Sequence, residues 1–143
     1  IQNPEKALAS WLSVGVQRII VHLEATRDFA TMHEQCIRAG VELAIALNPD
    51  TSAERLAGMR AVSHILVLAV QPGLAGQIFQ NDQLDKLRFL RAQYPNVIIS
   101  VDGGVTLGNA LQIQAAGADV LISASAIWSS NDPAMIYHHF QQV

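Results

Sequence analysis

The segment VDGGV places a carboxylate where a buried strand is expected to end. Asp102 follows the mostly apolar run Val97–Val101 and precedes Gly103 and Gly104. A carboxylate in this position is costly unless it is paired, solvated or bound to a metal. The two glycines permit a sharp turn and let a ligand approach the backbone N–H groups. Asp102 is therefore a candidate for metal binding or for proton transfer beside a carbonyl, although capping of its own turn fits the sequence equally well.

Turns made of glycine or other small residues also follow the strands predicted on either side of this one. PGLAGQ spans Pro72–Gln77, and a small-residue turn occurs at Ala124 and Ser125. Any one of these turns is best explained as a tight loop, but three that converge can offer several backbone N–H groups to one phosphate. (β/α) barrels commonly bind phosphate at such a late corner. The predicted phosphate- and substrate-binding residues are Gly73, Leu74, Ala75, Gly76, Gly103, Gly104, Ala124 and Ser125.

Four other residues of the sequence have side chains that could take part in chemistry or line the site. His22 and Glu24 end the first predicted strand two residues apart, so they face the same side of the sheet. Such a pair can bind a metal or substrate, but we favour a hydrogen-bonded pair inside the barrel. His64 begins its strand at the opposite end and is predicted to be structural. Trp128 is most simply explained by core or loop packing, although it follows the last turn closely enough to line the same site.

A repeated unit of helix, glycine and strand positions these residues. Three segments place a glycine after a helical pattern and then a short apolar run: SVGVQRIIVHL, RAGVELAIALN and AAGADVLISAS. The strands are expected near Gln17–Leu23, Val41–Leu47, His64–Val70, Val97–Val101 and Asp119–Ile122. Helix-start signals are Asn3 before Pro4, Thr51 with Glu54 as a capping box, Thr106, and Asp132 before Pro133.

Strands that scarcely alternate, separated by single helices, predict an α/β fold with a parallel sheet covered by helices. Both a doubly wound sheet and a (β/α) barrel fit this order. Because every predicted strand ends in polar or glycine residues, a barrel mouth ringed by loops is favoured. Neither a G-x-G-x-x-G fingerprint nor a G-x-x-x-x-G-K-[ST] loop occurs, so nucleotide cofactors are set aside.

Composition narrows the class of protein further. The chain has 143 residues, half of them hydrophobic, and a net charge of −3, which suits a single domain over residues 1–143. It contains no bilayer-spanning apolar run and no signal-like start, so a cytoplasmic location without membrane contact is predicted. The absence of a basic cluster argues against nucleic acid. Cys36, the single cysteine, lies in a helical pattern with Phe29, Met32 and Ile37 and is predicted to be a core residue.

The order and spacing of five motifs resemble the ribulose-phosphate 3-epimerase family. These motifs are VHLEA, ALNPDT, LAVQPGLAGQIF, VDGGV and AGADVLISASAIW. The resemblance implies a (β/α)8 TIM barrel and the pentose phosphate reaction that interconverts D-ribulose 5-phosphate and D-xylulose 5-phosphate. In that family two aspartates transfer protons at C3 through a metal-stabilised enediolate. A divalent cation of the Zn, Fe, Mn or Co type and a homo-oligomer are implied as well.

Carried onto this sequence, the resemblance assigns Asp102 as metal ligand and as one of the two proton carriers. The three turns match the family's phosphate and substrate loops. Leu74 and Ala75 replace the usual Phe-Gly, and Ala124 stands where the family usually has glycine, so its methyl group crowds the phosphate position. Gln71 stands where Asn or Glu is common.

The family's first aspartate, its metal-binding histidines and a substrate-binding serine lie on three strands that this chain lacks. The resemblance therefore implies a partial barrel of about five βα units, the C-terminal part of the family fold, with edges near Ile1–Gln2 and Asp119–Ile122. We expect the isolated chain to show little or no turnover, since one aspartate lacks the second proton carrier and the metal. The alternatives are another ketose-phosphate epimerase, a hexulose-phosphate synthase, or an inactive barrel that only binds phosphate.

Overall fold

The structure, a computed structural model, describes residues 2–59 and 61–143. Its centre is one parallel sheet of five strands in the order β1-β2-β3-β4-β5. The strands are β1 (Arg18–His22), β2 (Glu42–Leu47), β3 (His64–Leu68), β4 (Ile98–Asp102) and β5 (Val120–Ile122). The prediction of a parallel sheet built from these five segments is confirmed.

Helices connect successive strands. They are α1 (Pro4–Ser13), α2 (Phe29–Arg38), α3 (Gln83–Gln93), α4 (Leu107–Ala115), α5 (Ser125–Trp128) and α6 (Pro133–Phe140), with short 3-10 helices at Leu23–Ala25 and Ala53–Leu56. The glycines that end α1, α2 and α4 have positive φ angles of 75°, 69° and 117° at Gly15, Gly40 and Gly117. This conformation costs glycine little, so the helix-glycine-strand unit forms as the sequence predicts.

The helix starts were predicted with mixed success. Asp132 accepts a hydrogen bond from the Met135 N–H and so caps α6 as expected. The capping box at Thr51 and Glu54 is wrong, because Ser52 caps a 3-10 helix by accepting a hydrogen bond from the Glu54 N–H. Thr51 is buried, and its side chain lies near enough to the Glu24 carboxylate to lower the pKa of that group. Thr51 therefore interacts with a residue distant in sequence and does not cap the helix.

The two faces of the sheet differ in what covers them. Side chains that alternate along each strand point to opposite faces. One face packs beneath the helices, where Ile45, Val67 and Ile99 meet the predicted apolar face of α3; that helix face is made of Leu84, Leu87 and Leu90. The other face corresponds to a barrel interior and carries Ser100 and Asp102. It leaves part of its apolar surface exposed, at Ile20, Ile98, Val120 and Ile122.

Within the described ranges, β1 and β5 each pair with a single strand, so they form the two edges of a partial barrel. The predicted edge near Asp119–Ile122 is confirmed. The other predicted edge is wrong at Gln2, which belongs to no strand, and its second member, Ile1, lies outside the described residues. Only Asn3 separates Gln2 from the start of α1 at Pro4, and among the described residues Arg18–His22 forms this edge of the sheet.

The single cysteine is a core residue, as predicted. Cys36 is fully buried beside Met32, and burial raises the pKa of its thiol. Ile37, which was expected on the same apolar side, is 62% exposed because the next position of α2 turns away from the sheet. In the ranges that the structure describes, no helix has the length and apolar character needed to cross a membrane.

Arg91 joins α3 to the beginnings of β4 and β5. Its guanidinium donates hydrogen bonds to the carbonyl oxygens of Gly117 (2.9 and 3.2 Å) and Val97 (2.9 Å) and pairs with the Asp119 carboxylate. The same carboxylate accepts the Ile99 N–H at 2.7 Å. One side chain therefore donates hydrogen bonds to carbonyl groups in the α3–β4 and α4–β5 connections, at the end of the sheet opposite Asp102.

Replacing Arg91 by methionine should lower the free energy of unfolding by about 3 kcal/mol, because carbonyl groups that accept charged hydrogen bonds lose their donor. Urea unfolding followed by circular dichroism measures the change. Arg88→Met is the matched control, since Arg88 is exposed and pairs only with Asp85, at 2.6 Å, among the described residues. Arg88→Met should lower the free energy of unfolding by no more than about 0.5 kcal/mol. Equal losses in the two variants would contradict the role assigned to Arg91.

His64 lies where the sequence placed it, at the start of β3 and far from the carboxyl end of the sheet. Its side chain is only 3% exposed, and its Nε2 lies 2.5 Å from the Ser100 hydroxyl. Burial lowers the pKa of His64, and the nearby Arg18 lowers it further, against the opposing effects of Glu42 and Asp119. The folded protein therefore favours the neutral imidazole.

The fold should accordingly lose stability as the pH falls below about 6.5, the ordinary pKa of histidine. Below that value the unfolded chain binds a proton that the folded His64 resists, so protonation favours unfolding. His64→Leu should flatten this part of the dependence when the thermal midpoint is followed from pH 8 to pH 5. His138→Leu, at an exposed position of α6, is the control and should keep the wild-type slope. A wild-type slope in His64→Leu would contradict the prediction.

Candidate functional site

A cavity of about 360 Å³ opens at the carboxyl ends of β3, β4 and β5. Parallel strands bring their carboxyl ends to the same edge of a sheet, so turns far apart in sequence meet there. The cavity wall contains every site residue predicted from the sequence, namely Asp102, Gly73, Leu74, Ala75, Gly76, Gly103, Gly104, Ala124 and Ser125. The structure thus brings together the carboxylate and the three turns. The rest of the wall includes Gln71 and the apolar side chains of Leu68 and Ile122.

Asp102 is the last residue of β4 and faces this cavity. In the strand register it lies opposite Leu68 on β3 and Ile122 on β5, so both of its lateral neighbours are apolar. Its backbone carbonyl accepts the Ala69 N–H at 2.7 Å, which fixes the strand end. No hydrogen bond from residues 2–59 or 61–143 reaches its carboxylate. The interpretation in which Asp102 caps its own turn is therefore not supported, and the carboxylate is free to meet a ligand.

The two glycines after Asp102 are required by packing inside the protein. Gly103 and Gly104 have φ angles of 105° and 67°. A Cβ atom on Gly103 would lie 2.5 Å from a methyl group of Val70, and one on Gly104 would overlap the backbone nitrogen of Phe79. Their turn therefore packs directly on the segment that follows β3. Close approach of a ligand, the reason suggested by the sequence, is not needed to explain either glycine.

The Pro72–Gly76 loop has a different reason for its glycines. Gly73 and Gly76 have φ angles of 127° and 76°, yet a Cβ atom on either would meet nothing within 4 Å. Backbone conformation alone selects glycine here. All five residues of the loop are exposed. The loop closes where the Gln80 N–H donates to the Ala69 carbonyl at 3.0 Å, and Phe79 anchors it in the core.

The third turn precedes α5. The Ser123 hydroxyl donates to the Val105 carbonyl at 2.9 Å, which ties this turn to the one after β4. The Ala124 carbonyl accepts the N–H groups of Ile127 and Trp128, so the helix begins directly at the cavity wall. Trp128 itself is 75% exposed and does not line the cavity. A core position and the alternative that it lines the site are both wrong, because the single turn of α5 carries its ring to the outer surface.

His22 and Glu24 lie at another part of the same edge, outside the cavity. His22 Nδ1 is 3.5 Å from Glu24 Oε2, and Glu24 Oε1 accepts the Asn48 N–H at 3.0 Å. Burial works to raise the pKa of Glu24, but hydrogen bonds from Thr51 and Asn48 outweigh it and lower the pKa below its usual value. The carboxylate is occupied in joining the ends of β1 and β2, as the structural interpretation of this pair predicts.

The described residues do not by themselves form the metal site that the resemblance implies. Among residues 2–59 and 61–143, no group of three His, Cys, Asp or Glu side chains is placed to hold a metal ion. Asp102 is the one carboxylate in the cavity wall, and its neighbours there are glycine, serine, glutamine and apolar residues. A single carboxylate ligand is too few for the divalent cations concerned.

Sequence reasoning did not single out the Gln77 side chain in the cavity wall. Gln77 ends the PGLAGQ turn, is half-buried, and donates hydrogen bonds back into the loop that precedes it. The motif contained this glutamine, but nothing in its sequence position distinguishes a side chain that binds its own loop from an ordinary surface residue.

Comparison with known proteins agrees with the motifs. A profile described as the ribulose-phosphate 3 epimerase family matches residues 1–128. The chain belongs to this family. A curated relative named ribulose-phosphate 3-epimerase, from Chlamydia pneumoniae, is 34% identical over 142 residues, covering 94% of this chain and 62% of the relative. A relative of the same name from Candida glabrata is 31% identical, with coverages of 93% and 54%. The chain thus spans little more than half the length of these curated relatives.

Solved structures support the partial barrel. The 3-hexulose-6-phosphate synthase from Salmonella typhimurium matches 99% of this chain and 67% of its own with a TM-score of 0.70 at 19% identity. KGPDC from Streptococcus mutans matches 99% and 68% with a TM-score of 0.68 at 14% identity. At these identities the likeness concerns the fold alone. This member of the epimerase family therefore contains five adjacent parallel strands of a (β/α)8 barrel and the turns at their carboxyl ends.

Proposed function

We propose that the protein is an epimerase that interconverts D-ribulose 5-phosphate and D-xylulose 5-phosphate. The observation that carries this proposal is the cavity in which one unpartnered carboxylate, Asp102, faces three turns rich in glycine and small residues. Family membership supplies the reaction and the relatives' names supply the substrate. The chain contributes the phosphate-binding side of the site and one proton carrier.

The phosphate of the substrate would bind between the three turns. Backbone N–H groups at turns and at the start of a helix favour an anion, and they add no positive charge that would attract unrelated anions. The N–H groups of Gly73–Gly76 make no hydrogen bond to the backbone of any described residue. The Ser125 hydroxyl lies in the same wall. These donors suit a dianionic phosphate, and Ala124 narrows the space because it carries a methyl group where a glycine would not.

Asp102 would then transfer a proton at C3. The C3 proton is acidified by the neighbouring C2 carbonyl, so a carboxylate can remove it if the resulting enediolate is stabilised. Inversion requires that a proton leave one face of C3 and that another arrive at the opposite face. Asp102 is the one carboxylate of the cavity wall, and it can exchange a proton with only one face of C3. The second carrier must come from outside the described residues.

The test is exchange of the C3 proton with solvent. The protein as its gene encodes it is incubated with D-ribulose 5-phosphate in D2O, and NMR follows both deuterium at C3 and the formation of D-xylulose 5-phosphate. Appearance of both supports the proposal. Phosphate binding without any exchange would reduce the protein to a phosphate-binding barrel. Faster exchange with a hexulose 6-phosphate would reassign the substrate.

The family likeness extends the proposal to location and assembly. A rice relative, 29% identical, is named the cytoplasmic isoform of ribulose-phosphate 3-epimerase. We accordingly infer a cytoplasmic protein, and a homo-oligomer in which a second copy covers exposed apolar surface. Cell fractionation and sedimentation equilibrium test these two points independently of the activity.

A further inference from the structure

The loop that lines one side of the cavity is held by a single side chain. Gln77 Nε2 donates one hydrogen bond to the carbonyl oxygen of Gln71 and another to that of Leu74, each 2.7 Å long. A primary amide has two N–H donors, and both are used here. The two acceptors lie three residues apart at the start and middle of the loop, so the carboxamide spans it from within.

No other hydrogen bond holds this loop internally. Among the described residues, no backbone–backbone hydrogen bond joins two members of the segment 71–79. The loop is pinned at its ends by the Gln80–Ala69 hydrogen bond and by packing of Gly104 against the backbone at Phe79. Between these points its residues are exposed. Without the Gln77 amide, the loop would be free to adopt other conformations.

The two hydrogen bonds also determine how the backbone donors are oriented. A peptide unit is planar and trans, so its carbonyl and its N–H point in opposite directions. Because Gln77 fixes the Leu74 carbonyl, it also fixes the direction of the Ala75 N–H in the same peptide unit. A loop that is already ordered loses less conformational entropy when the ligand binds, so the ligand binds more tightly.

We propose that Gln77 is a positioning residue that holds the 71–76 loop in the conformation that receives the phosphate group. This inference rests on the proposed function, since that function assigns phosphate to the cavity. Gln77 acts through the loop and need not touch the substrate.

The experiment compares the wild-type protein with Gln77→Met, which keeps the volume of the side chain but has no donor. Isothermal titration with inorganic phosphate and with D-ribulose 5-phosphate gives the affinities, and NMR order parameters of the backbone amides follow the order of residues 71–76. We expect both ligands to bind roughly tenfold more weakly, because the loop loses the two hydrogen bonds that order it before binding. The order parameters should fall in residues 71–76 and stay unchanged in β3 and β4. Gln77→Glu, which also lacks the donors, should be weakened at least as much.

Gln112→Met is the control, because Gln112 is exposed on α4 and its side chain makes no hydrogen bond to a described residue. It should match the wild type in every measurement. Wild-type affinity or wild-type order parameters in Gln77→Met overturn the proposal. If the wild-type protein binds neither ligand, the proposed function fails, and the order parameters alone decide. Lower order parameters in residues 71–76 of Gln77→Met still support a residue that fixes the loop, and unchanged ones overturn it.

Discussion

Replacing Asp102 by asparagine should lower the rate of C3 proton exchange by about 10²–10⁴-fold, the range found when a general acid or base is removed. Asparagine has nearly the same size and cannot carry the proton. Because no described residue donates a hydrogen bond to the Asp102 carboxylate, the substitution breaks no bond that holds the fold. Affinity for inorganic phosphate should change by less than about twofold, since the phosphate donors lie on other residues.

The matched control is Asp85→Asn, which makes the same change on the exposed surface of α3. It should keep the wild-type exchange rate and the wild-type affinity. NMR in D2O measures exchange, and calorimetry measures affinity, for all three proteins. Retained exchange in Asp102→Asn would remove Asp102 from the reaction. Lost phosphate affinity together with lost exchange would assign Asp102 to binding or to folding instead.

The parts of the site that sequence predicted are those that local patterns encode. A glycine after each helix and an apolar run after that glycine locate the strands, because the left-handed helix end and the buried strand are both local requirements. Once the strands are known, parallel pairing places Asp102 and the other turns at one edge. The carboxylate and all three turns could therefore be assigned to one site from the sequence.

The parts that sequence could not predict depend on contacts between distant segments. Thr51 matches a capping motif, yet it is buried near Glu24, 27 positions earlier in the chain, and lowers the pKa of that carboxyl group. Gln77 resembles a surface residue until its loop folds around the amide. Trp128 follows the last turn closely, but one short helical turn directs its ring outward. In each case the local pattern allowed several partners, and tertiary packing selected one.

Gly104 shows that a glycine beside the proposed catalytic carboxylate can be required by packing and not by the ligand. Its position against the Ile78–Phe79 backbone leaves no room for a side chain, since a Cβ atom would lie 2.7 Å from the Phe79 Cα. The turn after β4 and the loop after β3 are thereby held in direct backbone contact. This contact sets the width of the cavity between them, so packing and ligand binding depend on the same residue.

Replacing Gly104 by alanine should therefore lower the free energy of unfolding by about 4 kcal/mol, the sum expected for an alanine at positive φ and for an overpacked backbone contact. Gly40→Ala separates these two causes. Gly40 has nearly the same φ angle, 69° against 67°, but a Cβ atom there meets nothing within 4 Å. It should cost only about 1 kcal/mol, for the backbone conformation alone.

Urea unfolding gives the loss in free energy of unfolding for each variant. The difference between the two losses is the part that comes from the contact between the turn and the loop. Equal losses would show that the two segments can separate without cost, and that the cavity is not held by packing at Gly104. If Gly104→Ala folds, its phosphate affinity should also fall, because a methyl group that separates the two turns moves their N–H groups apart. Gly40→Ala, whose substitution lies between α2 and β2, should bind phosphate as the wild type does. The pair of variants thus tests whether the glycine that the packing requires also sets the spacing that binding requires.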